Sequence, residues 1–131
     1  MNALSFDITP EVLEPTCEWT AADVADESAW TEVLSRAEQD ELEAAVAHAF
    51  SVSDDFLQIT KADFPLPTLA ARLKAIEKEL IDGRGFTRLR GLPRDRWTND
   101  QMCMAYWGIG MHLGRPWPQN HFGHVLGDVT D

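Results

Sequence analysis

A chain of 131 residues with 44% hydrophobic residues and five tryptophans is one domain's worth of polypeptide with material for a real core. Its formal net charge of −11 argues against a nucleic-acid partner, which needs cations to neutralise phosphates, and against an anionic membrane surface. No stretch approaches the roughly 18 apolar residues of a membrane span. The N-terminus MNALSFDITP lacks the basic start and apolar run of a signal peptide. The two cysteines, Cys17 and Cys103, form no C-x-x-C pair. A reducing, cytoplasmic setting is therefore the expectation.

Residues 1–34 read as an extended, irregular arm: residues 1–18 carry Pro10 and Pro15 and no clear period, and the polar stretch TAADVADES between Trp19 and Trp30 has room for one helical turn. A helix is expected over about 35–50. SRAE sets Ser35 three residues before Glu38, a capping-box spacing, and Leu42, Ala45, Val46 and Ala49 follow as one apolar stripe with Gln39, Glu41 and Glu43 facing away. SVSDDFLQITKADFPLP is a loop, and Pro67 suits the first turn of a second helix over about 67–81. Leu69, Leu73, Ile76 and Leu80 form its buried stripe, and Gly83 is available for a left-handed position after it.

A strand is expected over about 85–90, closed by Gly91 and Pro93. A third helix over about 98–113 starts at a Thr98 or Asn99 cap, with Met102, Tyr106, Ile109 and Leu113 sharing its core face. Cys103 within it suits a buried, inert thiol. Gly108 and Gly110 are best explained by close packing, since neither belongs to a phosphate loop. Pro116 and Pro118 bend the chain, and a second strand is expected over about 123–129.

The charge is uneven. Residues 1–82 hold 18 of the 22 acids and 5 of the 11 bases, net −13, while residues 83–131 are net +2. Either the first part is a solvated acidic surface, or the arginine-bearing part lies nearer an anionic ligand. His121, His124, Asp128 and Asp131 crowd the C-terminal stretch. In a strand His124 and Asp128 share a face but lie roughly 13 Å apart, and His121 and His124 point to opposite faces. A metal site would need a loop to bring the histidines together, and His-x-x-His alone falls short of the three or four ligands of a closed site.

Taken together, DFPLPTLAARLKAIEKELIDGRGFTRLRGLP, YWGIGMHLGRPWPQN and GHVLGDVTD resemble the N-terminal section of the taurine dioxygenase-like oxygenases, which depend on Fe(II) and 2-oxoglutarate. Order and spacing agree over roughly residues 63–131. The resemblance implies an α+β fold in which an N-terminal helical part precedes the first strands of a double-stranded β-helix, or jelly-roll, incomplete in this chain. Residues 35–131 would form that portion. It also implies a small-molecule substrate. In such oxygenases His-x-Asp and a distant His hold the iron. No histidine here is followed two residues later by Asp or Glu, so the iron ligands and the cosubstrate arginine would lie past Asp131.

By position, Gln119 and Asn120 become candidates for polar substrate contacts. The alternative for Asn120 is a purely local role in capping the turn. No catalytic residue, metal ligand or bound cofactor is expected in this chain by itself. Its strands would leave open edges, suited to self-association or to a C-terminal complement. The competing functional expectation is a non-catalytic interaction or regulatory module. A weaker one is a small metalloprotein built on His121 and His124.

Overall fold

The computed structural model describes residues 18–127. Three helices carry the fold: α1 (Arg36–Val52), α2 (Leu69–Asp82) and α3 (Asn99–Leu113). Two three-residue strands, β1 (Thr31–Val33) and β2 (Arg88–Arg90), form a parallel pair with Thr31 opposite Arg88 and Val33 opposite Arg90. Both α1 and α2 lie between the strands in sequence, as a parallel pair requires a long crossover. The result is a helix-rich α+β unit. Among the described residues no helix is long and apolar enough to cross a membrane.

The start of α1 follows from its first residues. Ser35 accepts from the Glu38 N–H at 3.2 Å, and the Glu38 carboxylate accepts from the Ser35 N–H at 2.7 Å. Leu42, Ala45, Val46 and Ala49 are all buried, so helical spacing alone names this core face. The polar face does more than meet water. Glu41 accepts from the N–H groups of Thr68 and Leu69 at 2.5 and 2.9 Å, capping α2 from a neighbouring helix. Glu43 pairs with Arg96 at 3.0 Å. The expectation that Glu41 and Glu43 simply face away is corrected: the bare N-terminus of α2, whose own Thr68 makes no side-chain cap, recruits Glu41.

Leu69, Leu73 and Ile76 of α2 are buried against α3, and α1 packs on the same helix. The left-handed glycine beyond α2 is Gly85, with φ 88°, and not Gly83, whose φ is −106°. Glu79 explains the two-residue displacement, because its carboxylate crowds Gly83 and accepts from the Arg84 N–H at 3.0 Å, while its carbonyl accepts from the Gly85 N–H.

Helix α3 begins on Thr98, which forms a second capping box with Gln101. Its core face differs from the expected one. Met104, Ala105, Trp107, Gly108 and Ile109 are buried, whereas Tyr106 is 66% exposed and Met102 and Leu113 are half-buried. Trp107 goes inward because its indole N–H donates to the Ile59 carbonyl at 3.0 Å while its ring packs on Phe56, 5.2 Å between centroids. Cys103 is half-buried, not enclosed. Gly108 is a close-packing glycine, since a Cβ there would overlap the ring of Phe64. Gly110 is not, because nothing lies within 4 Å of the corresponding position.

In the described part of the N-terminal arm expected over residues 1–34, residues 27–30 form a 3-10 turn started by Asp26, overlapping the stretch read as a helical turn, and the irregular reading is corrected at residues 31–33, which are β1. Trp19 and Trp30 both rest edge-on against Phe86, at 5.0 and 5.5 Å between centroids, and the Trp30 indole N–H donates to Val24 O. Residues 1–17 lie outside the described residues. The strand expected over 85–90 is ordered as a strand only at 88–90, because Gly85 turns the chain and Phe86 serves the aromatic cluster instead of the ladder.

Arg72 of α2 ties these layers together. It donates to Glu32 and Glu38 carboxylates and to the Val33 carbonyl, joining α2 to β1 and to the first turn of α1. Burial pushes the Glu38 carboxyl up, but the Ser35 N–H and the Arg72 guanidinium outweigh it and hold the group below its ordinary value of 4.5. A depressed folded-state value contributes stability that is complete above pH 4.5 and is lost as the pH falls through the lower folded value. Glu38→Gln will therefore flatten the acid limb of the stability curve below about pH 5, with little change in pH dependence above it. Urea titrations at stepped pH read this directly, and an unchanged acid slope would exclude the Glu38–Arg72 contact as its source.

Candidate functional site

The chain leaves α3 at Gly114, passes Pro116 and Pro118, and turns back on itself at residues 119–124. Asn120 builds this reversal. Its Oδ1 accepts from the N–H groups of Phe122 and His124 at 3.0 and 3.1 Å. The Gln119 N–H donates to the His124 carbonyl at 2.7 Å, and the Gly123 N–H donates to the Asn120 carbonyl. Gly123 takes φ 82°, a conformation that favours glycine. The strand expected over 123–129 is therefore corrected for its described part: residues 123–127 form no strand and bend at 125–126. Val125 and Leu126 have strand propensity, but the described residues offer no partner strand beside them, and Val125 packs on the helical core instead. Residues 128 and 129 lie outside the described residues.

This turn and the C-terminal half of α3 enclose an open cleft of about 290 Å3. Tyr106, Leu113, Trp117 and Val125 give it apolar walls, with Arg115 and Gln119 adding polar groups. Gln119 thus reaches the cleft, although its side-chain amide also donates to the Trp117 carbonyl at 2.8 Å. Asn120 is not among the residues lining it; its amide is spent on the turn. Of the two candidate contacts, the structure brings one to the cleft and makes the other a support beneath it. The sequence places Tyr106 on the core face of α3, since an aromatic on a largely apolar helix looks like a core residue, and does not single out Arg115 or Trp117.

The histidines do not converge as ligands. His124 Nδ1 meets the Asn120 Nδ2 amide at 3.1 Å and so accepts from it, which places the ring proton of the neutral form on Nε2. His121 lies over the ring of Phe122, 3.7 Å between centroids. His112 donates from Nε2 to the Phe64 carbonyl at 2.7 Å, a part-buried contact outside the residues that line the cleft. Among the described residues no group of three or more His, Cys, Asp or Glu is placed to share an ion. The residues described here do not fit a ferrous centre, and no chemical step is assigned to one.

The charge asymmetry has a structural answer in part. Arg88 pairs with Glu27 at 2.7 Å and stacks over Trp30, Arg96 pairs with Glu43, and Arg84 lies 3.8 Å from Glu79. The basic later segment thus neutralises part of the acidic earlier one.

No protein-family model matches the chain. One curated relative does match: FR-33289 synthase of Streptomyces rubellomurinus (strain ATCC 31215), 26% identical over 113 residues. This chain is its distant relative. The match takes in 86% of the chain but 33% of the synthase, so the chain spans about a third of the length of the relative it matches.

Proposed function

We propose that this chain is the helical N-terminal portion of an Fe(II)/2-oxoglutarate-dependent oxygenase of the taurine dioxygenase-like class, acting on a small molecule. The observation that carries this reading is the match to FR-33289 synthase over 113 residues, which supports a distant oxygenase homologue. The ordered sequence pieces over residues 63–131 point the same way. The helix-rich unit with a small parallel sheet is compatible with an incomplete α+β domain. In this reading the iron ligands are not supplied by residues 18–127, and the jelly-roll strands are contributed by other polypeptide.

The role left to these residues is to hold one wall of the substrate mouth. Gln119 offers its carbonyl oxygen to a polar substrate group, and Asn120 keeps Gln119 in place through the turn.

The test is a chimera in which the matched segment of FR-33289 synthase is replaced by this chain. With iron, ascorbate and a substrate accepted by the parent synthase, the chimera will form succinate from 2-oxoglutarate. The 131-residue chain alone will form none above background. A well-folded chimera without turnover, or sustained turnover by the isolated chain, would defeat the reading.

A further inference from the structure

Two surfaces at opposite ends of α3 complement each other. At the N-terminal end, a groove of about 530 Å3 is walled by Phe50, Phe56 and Met104 and edged by Asp54, Asp55 and Asp100. Asp55 gives one oxygen to the Leu57 N–H, and Asp54 and Asp100 form no ion pair among the described residues. An apolar groove rimmed by carboxylates suits a partner that brings an apolar group and a positive charge together.

Such a group lies past the other end of the helix. From Gln101 to Gly127 the sequence has no Asp or Glu, and Arg115 is exposed and without an ion pair among the described residues. Two positions on, Trp117 is 77% exposed, with an indole N–H to donate to a carboxylate. Pro116 and Pro118 flank it and hold their own φ fixed, so this segment loses little freedom on docking. Helix α3 has 15 residues and is about 22 Å long, which keeps Arg115 from the groove of its own chain. A second copy meets no such barrier. The net charge of −11 does not prevent the approach, because exposed charges more than about 8 Å apart are largely screened at physiological ionic strength and the acidic groove faces an acid-free segment.

The geometry points to a head-to-tail contact between copies of this chain, in which Trp117 of one copy enters the groove between Phe50 and Phe56 of the next and Arg115 meets the carboxylates at its rim. Each docked pair keeps one groove and one Arg115–Pro118 segment unused, so the contact propagates instead of closing as a two-fold dimer. It is independent of the oxygenase reading.

Sedimentation velocity on the full chain tests it. The weight-average mass is expected to rise to at least twice the monomer mass as concentration goes from micromolar to millimolar. Arg115→Glu should remain monomeric, as should Asp54→Lys combined with Asp100→Asn, and Trp117→Ala should weaken association by roughly tenfold or more. An equimolar mixture of the Arg115→Glu chain and the Asp54→Lys, Asp100→Asn chain should form heterodimers and nothing larger, because one supplies an intact groove and the other an intact Arg115–Pro118 segment. A wild-type chain that stays monomeric overturns the inference, as does undiminished association of either variant. A mixture that stays monomeric also overturns it, since it would point to a symmetric face. Circular dichroism checks that each variant is folded, and should the change at Asp100 melt α3, Asp54→Lys alone takes its place under the same criteria.

Discussion

Phe64→Ala will lower the unfolding free energy by about 3–5 kcal/mol, the range for emptying a buried aromatic site. Phe64 is fully buried, and its ring fills the notch that Gly108 leaves in α3. Its carbonyl also receives the His112 N–H. The ring therefore sits between the loop before α2 and the middle of α3, where the side chains around it are held by their own packing. A single domain is stable by only about 5–15 kcal/mol, so this one change removes a large share. The reciprocal substitution sharpens the claim. Gly108→Ala gains roughly 1 kcal/mol of helix propensity but forces a methyl into the Phe64 ring, and overpacking of this kind costs about 1–3 kcal/mol. It will be neutral to destabilising in the parent chain and stabilising in the Phe64→Ala chain. Urea denaturation followed by tryptophan fluorescence on the four proteins gives the coupling, and additive effects would refute the contact.

Arg72→Met is expected to be the second large effect, destabilising by about 2 kcal/mol, the order for leaving a partly buried charged group without its partner. The guanidinium is 30% exposed and Glu38 18% exposed, so their hydrogen bonds are partly shielded from water, while Glu32 at 42% contributes less. Removing one charge leaves Glu38 short of a partner in a partly desolvated place, which costs more than the pair's net value. Methionine keeps the aliphatic stem that packs along α2. Arg72→Lys will recover less than half of the loss, because one ammonium cannot serve Glu32, Glu38 and the Val33 carbonyl in the planar fork the structure uses. Full recovery by lysine would mean that charge alone matters there.

The helices were legible because their signals are local. Ser35 with Glu38, and the run Leu42, Ala45, Val46, Ala49, lie within one helix and need no distant partner to be read. In α3 the cap at Thr98 was equally visible, but its inward face was not. Nearly every position from Met102 to Leu113 is apolar, so periodicity selects no side, and the choice falls to the Ile59 carbonyl that takes the Trp107 indole. Strand β1 escaped notice for the opposite reason. Three residues are too few to show alternation, and their partner lies 57 positions away. At the candidate site Gln119 and Asn120 were found through likeness of sequence, and their separate roles follow only from where each amide is spent. No strand forms over the described residues 123–127, because propensity without a neighbouring strand among the described residues does not make a ladder.

The β1–β2 ladder encloses both α1 and α2 within its span. Three residues a side cannot repay the loop-closure entropy of so long an excursion by themselves. On that ground the ladder is expected to zip only once the helices have settled and Arg72 has reached across to Val33, late in folding and early to fray, a clasp fastened after the garment is already on.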